Sequence, residues 1–127
     1  MIDTKTDENI PATVEECILG SMINSPEKCK IVFRALKEDD FPTIRGRNLF
    51  SEIRETEETR GSVDITLLAE HLKAKGKERF ESLGGYLYLA QLGMAPGVGV
   101  DIDAYIDELR QHSVKRALLN IQRDIGM

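Results

Sequence analysis

A handful of residues in this chain are of types that can do chemistry, and their spacing decides whether they do. Cys17 and Cys29 sit twelve positions apart inside patterns that read as helices. No histidine or acid completes a metal-ligand spacing around them, so they read as small buried hydrophobes. The two histidines, His71 and His112, fall on different predicted helices, and neither has the nucleophile and acid that a triad requires. His71 lies beside an apolar stripe and reads as a structurally satisfied or plain surface histidine, not as a base. The pair Asp39-Asp40 is a conceivable metal ligand, but adjacent side chains diverge and no third ligand accompanies them. Gly76-Lys77-Glu78 is the nearest approach to a phosphate-binding loop, and it lacks both the preceding glycine and the hydroxyl that would hold magnesium. G-x-S-x-G, H-E-x-x-H and calcium-loop patterns are absent. The sequence therefore offers no catalytic residue, no cofactor-binding residue and no metal ligand, and the chain is not expected to be an enzyme by itself.

Composition narrows the class. A chain of 127 residues, 41% hydrophobic and 31% charged, has the make-up of one soluble globular domain with a modest core. Its net charge of -5 argues against a dedicated nucleic-acid binder, which ordinarily carries a basic patch that exchanges counterions with phosphates. The first residues are polar and acidic, unlike a signal peptide, and no run approaches the ~20 apolar residues of a membrane span. A reducing, cytoplasmic setting is the expectation.

The elements that would position these residues read as helices throughout. Residues 1–10 are polar and are expected to form a disordered tail. Thr13 and Glu16 have capping-box spacing ahead of a first helix over residues 14 to 24, with Val14, Cys17, Ile18 and Met22 as its inward stripe. Ser25-Pro26 starts a second helix, running to about residue 37, with Cys29, Val32, Phe33 and Leu36 facing inward. Phe41-Pro42 predicts a turn with a buried aromatic anchor. A third helix over residues 44 to 59 carries Leu49, Phe50 and Ile53 toward the core, and its wholly polar run at residues 55 to 60 predicts a solvated end stopped by Gly61. Asp64 caps a fourth helix with Ile65, Leu68, Ala69 and Leu72 as its stripe, ending in Lys73, Lys75 and Gly76.

From residue 83 the pattern changes. YLYLAQL has strand-like propensity, but no other segment could pair with it, so helix is the better reading. After the Pro96-Gly97 break, one long helical pattern starts near Asp101. Ile102, Tyr105, Ile106 and Leu109 mark its first face; beyond the polar Gln111-His112-Ser113 the apolar set becomes Val114, Ala117, Leu118, Ile121 and Ile125. At ~100° per residue the second stripe is turned by roughly 110° from the first. The expected architecture is all-α: a compact bundle of about four short helices over residues 11–82, then a helical hairpin over 83–127 whose last helix is long. Such a hairpin has more apolar surface than its own partner can cover, which points to assembly or docking.

Together, Glu15-Glu16-Cys17-Ile18-Leu19-Gly20, Asp39-Asp40-Phe41, Arg47-Asn48-Leu49-Phe50, Val63-Asp64-Ile65-Thr66, Leu83-Gly84-Gly85-Tyr86-Leu87-Tyr88-Leu89, Pro96 and Tyr105 carry a family resemblance. Their order and spacing over about residues 11 to 120 resemble the N-terminal domain of the bacterial and phage replicative DNA helicases of the DnaB family. The chain departs from that pattern at Arg45-Gly46-Arg47-Asn48, where the family often has a histidine-rich start to the third helix, and the family's ATPase domain is missing.

The resemblance implies an all-helical, non-catalytic collar domain whose copies associate through helical hairpins on a hexameric ring. It also implies docking of primase, and in some systems of a helicase loader, during DNA replication. DNA would be met only indirectly, membranes not at all, and ATP and magnesium would belong to the absent motor domain. On this reading Tyr88 and Tyr105 are candidates for the hairpin's shared face, with ordinary core aromatics as the alternative. Leu118, Ile121 and Ile125 are candidates for contacts between subunits, with folding back onto the bundle as the alternative. Two other functions stay open from sequence: the helicase-binding domain of a primase, which by resemblance has a similar helical fold, and a small helical DNA-binding module using Arg45, Arg47, Lys115, Arg116 and Arg123.

Overall fold

The computed structural model describes the backbone of residues 4–95 and 101–125 and the side chains of residues 14–95 and 101–121. In these residues the order is α1 (Thr4–Asn24), α2 (Pro26–Ala35), a 3₁₀ turn (Glu38–Asp40), α3 (Ile44–Arg60), α4 (Ile65–Lys75), α5 (Lys77–Ser82), α6 (Gly85–Gly93) and α7 (Ile102–Ile125), with no strand among them. The all-α expectation holds, including the helical choice for YLYLAQL and the long final helix. None of the helices, among the described residues, is long and apolar enough to cross a membrane.

Side-chain caps set several boundaries. The Ser25 hydroxyl accepts the Lys28 amide, Thr43 accepts the Gly46 amide and Asp64 accepts the Leu67 amide, each meeting a backbone donor that the first turn of a helix leaves free. Gly61 ends α3 in the left-handed region at φ 82°, where a side chain is disfavoured. α2 stops at Ala35, earlier than expected, because Leu36 turns extended to enter the core. Phe41 is the buried anchor of the following turn and stacks at 4.8 Å on Phe50. α1 is traced from Thr4, ahead of the start expected at Val14. The side chains of residues 1–13, that of Thr13 among them, and the Pro96-Gly97 break lie outside the described residues.

α1 is the centre of the molecule. Beyond its expected stripe, Leu19, Ser21 and Ile23 are also buried, so the helix needs cover on several sides. α2, α3, α6 and α7 supply it. Among the described residues α6 and α7 each pack chiefly against α1, and Leu83, Leu89, Leu92, Ile102, Ile106 and Leu109 share one apolar cluster with Val14, Ile18 and Leu49. Gly20 makes the α6 contact possible, since a side chain there would strike the Leu92 carbonyl.

The end of α3 also differs from expectation. Thr56 is fully buried with its hydroxyl on the Glu52 carbonyl at 2.7 Å, and Glu52 itself is buried. Ion pairs from Lys75 and Arg79 compensate that carboxylate; within the run at residues 55 to 60, Glu55 and Glu57 are partly exposed and residues 58 to 60 exposed.

A candidate protein-interaction face on the long helix

Along α7 the two apolar stripes meet different fates. Ile102, Ile106 and Leu109 are buried against α1, and Tyr105 is half-buried beside them. One turn later the same face becomes polar. Ser113 donates to Asp40 Oδ1 at 2.8 Å, and Arg116 donates to the carbonyls of Asp39 at 3.1 Å and Asp40 at 3.0 Å. Arg110 adds a bond to the Ala35 carbonyl at 3.0 Å, so two arginines cap the carbonyl ends of α2 and the 3₁₀ turn while Ser113 holds the Asp40 carboxylate between them. Burial lowers the Arg116 guanidinium from its usual value, and the neighbouring Arg47 pushes in the same direction.

The second stripe is left uncovered. Val114, Leu118, Leu119 and Ile121 are between 54% and 58% exposed, an apolar surface too contiguous for the side chains to be scattered surface residues. Val114, Leu118 and Ile121 repeat at four and three, the spacing of a helix–helix seam. Folding back onto the bundle, the alternative open from sequence, does not occur for Leu118 and Ile121. Ile125 continues the spacing, and its side chain lies outside the described residues.

Tyr88 and Tyr105, the candidates for the hairpin's shared face, are both half-buried against the core. Both meet α1: the Tyr88 hydroxyl donates to Glu16 Oε2 at 2.9 Å, and Tyr105 hydrogen-bonds the adjacent Cys17. Arg45 stacks over the Tyr88 ring at 3.9 Å, locking the start of α3 to α6. Burial first, and Glu16 second, hold the Tyr88 phenol well above its ordinary range. Both cysteine thiols are buried, and burial pushes Cys29 up to about 12, in keeping with a small core residue.

The basic residues available to nucleic acid are fewer than the sequence suggested. Arg45 is committed to Tyr88, Arg47 donates to the Phe41 carbonyl at 2.8 Å and Arg116 is committed to Asp39 and Asp40. Lys115 is exposed, and the Arg123 side chain lies outside the described residues.

A sequence model of the DnaB-like helicase N terminal domain matches residues 7–111. The chain belongs to that family. The replicative DNA helicase DnaB of Haemophilus influenzae is 26% identical over 112 residues, 88% of this chain and 24% of the relative. A probable plasmid replicative DNA helicase of Chlamydia psittaci is 27% identical over 118 residues, 93% of this chain and 25% of the relative. The chain thus spans about a quarter of the length of these curated relatives. Among solved structures, the N-terminal domain of DnaB helicase from Mycobacterium tuberculosis superposes with a TM-score of 0.80 at 21% identity, covering 91% of this chain and 81% of that one. The corresponding domain from Helicobacter pylori, whose structure is described together with its interactions with primase, gives 0.75 at 19%, covering 99% and 96%.

In this DnaB-like domain the matched region ends at residue 111, where the first face of α7 gives way to the polar clamp and the exposed stripe. The sequence reading located that change of face from periodicity alone. It missed the clamp, because nothing in the spacing of Ser113 and Arg116 says that Asp39 and Asp40 lie opposite. It also missed the meeting of Glu52, Glu55 and His71, which depends on how α3 and α4 lie against each other.

Proposed function

We propose that this domain is the non-catalytic collar module of a hexameric replicative DNA helicase. Its copies associate through the distal half of α7, and the assembled collar docks primase, with a helicase loader as a further partner. The observation that carries the reading is the exposed Val114, Leu118 and Ile121 seam on a helix held to its own bundle beyond Leu109 by the bonds of Ser113 and Arg116. Such a seam has its ordinary partner in the same seam of another copy. Similarity to the Helicobacter domain supports the primase half. The setting is the cytoplasm, and ATP and magnesium are the business of a motor domain that this stretch does not include.

Light scattering after size exclusion tests the assembly half. Association that rises with concentration and is abolished by Ile121→Asp is the expected result; a monomer at every concentration, indifferent to that substitution, overturns it. For the docking half, calorimetry of a helicase ring bearing this domain against its cognate primase should give saturable heat, and none would refute docking.

A further inference from the structure

Two acids on one turn of α3, Glu52 and Glu55, and His71 from α4 each bring a ligating atom within 4.8 Å of the others. His71 Nε2 lies 3.5 Å from Glu52 Oε1 and 3.7 Å from Glu55 Oε2. The imidazole is nine-tenths buried, and its Nε2 faces the two carboxylates without a hydrogen-bond partner. Between the carboxylates sits the Lys75 ammonium, 2.8 Å from Glu52 Oε1 and 2.7 Å from Glu55 Oε1. Arg79 of α5 takes the other oxygen of Glu52 at 2.7 Å, and Arg60 Nε faces His71 Nδ1 at 3.5 Å.

We propose that Glu52, Glu55 and His71 form a binding site for a divalent transition-metal cation of the zinc class, which displaces the Lys75 ammonium. The donor set decides the class: imidazole nitrogen with two carboxylates suits zinc and its neighbours, whereas calcium and magnesium require more oxygen ligands and no imidazole. The place is built for positive charge, since the Lys75 ammonium already occupies it, bonded to both carboxylates. A metal gives the stranded Nε2 its partner, which Lys75, itself only a donor, does not. Arg79 holds the far oxygen of Glu52 and so aims the near one at the site.

Exchange requires only the outer groups to move. Glu52 is buried, but Glu55 and Lys75 are 45% and 35% exposed and form the mouth. Lys75 leaves as an ammonium, both carboxylates stay ionised, and the ring proton passes from Nε2 to Nδ1 as the exposed Arg60 turns away. No net proton is released by these groups. The bound metal would join α3 to α4 next to α5.

Cobalt(II), followed by visible absorption on the untagged chain, and zinc(II) in competition test this. One equivalent should give d–d bands of a low-coordinate nitrogen and oxygen site, and zinc should bleach them. His71→Gln and Glu55→Gln should each weaken binding at least tenfold, and Lys75→Met should tighten it several-fold by removing the competing cation. Glu55 is half exposed, so Glu55→Gln keeps its helical circular dichroism and the loss of metal is not a loss of fold. The remaining histidine, His112, pairs with Glu108 at 3.4 Å on α7 and supplies the control. Absence of bands overturns the proposal. So do bands that vanish with His112→Gln yet survive His71→Gln, or a Lys75→Met variant that binds less tightly.

Discussion

Gly46 touches the carboxylate of Glu15 so closely that a Cβ would occupy the same space. Glu15 is buried, and it accepts the Thr43 amide at 3.2 Å and the Thr43 hydroxyl at 2.7 Å, while Thr43 in turn accepts the Gly46 amide at 2.9 Å. The acid of α1 thereby holds the cap of α3 at the helix's positive end. Gly46→Ala should cost about 1–3 kcal/mol in urea unfolding, because the carboxylate must retreat from Thr43. Burial, against the opposing bonds from Thr43, raises the Glu15 pKa above 4.5. A raised pKa means that the folded chain binds this proton more tightly than the unfolded chain. The contribution of Glu15 to stability is therefore largest below 4.5 and falls as pH rises through its folded pKa. Glu15→Gln keeps the shape and removes the titration. Its urea midpoint relative to the parent should be highest near neutrality, and that advantage should shrink as pH falls toward 4.5.

Whole helices were legible wherever a local rule governs. Ser25, Asp64 and Gly61 do in the structure what their chemistry predicts, and Phe41 before a proline is the anchor expected of it. What the sequence hides is which neighbour a helix meets. The run at residues 55 to 60 reads as solvated because it is polar, yet Thr56 goes inside by bonding its own helix, and Glu52 by drawing in Lys75 and Arg79. Likewise the stripes of α6 and α7 are visible, but α1 as their common partner is not. The polar clamp on α7 carries a prediction at this scale. Three hydrogen bonds worth about 0.5–1.5 kcal/mol each hold the helix there. Ser113→Ala with Arg116→Met should speed amide exchange over residues 110 to 121 at least tenfold in a hydrogen-exchange measurement, with α1, α3 and α4 unchanged.

The molecule as a whole separates what stabilises it from what it presents. Among the described residues the apolar cluster reaches Leu109 and no further along α7, and Val114, Leu118 and Ile121 lie outside it. Leu118→Ser combined with Ile121→Asp should leave the urea unfolding free energy of dilute protein within about ±0.5 kcal/mol of the parent. The same pair should abolish any concentration dependence of the unfolding midpoint, since linked association stabilises the folded state by mass action. A family domain whose stability and assembly respond to different substitutions can vary its partners without endangering its fold.

The clamp at Asp40 also sets a mechanical ratio. From Ser113, which bonds Asp40, to Ile125 the helix rises ~18 Å at ~1.5 Å per residue. Those bonds tolerate small rotations better than interlocked side chains do. A tilt of ~10° about Asp40 would carry the far end of the helix sideways by ~3 Å, about the rise of two residues. The helix thus has the geometry of a lever with its fulcrum on the bundle, so that a partner bound beyond Ser113 would load the 3₁₀ turn.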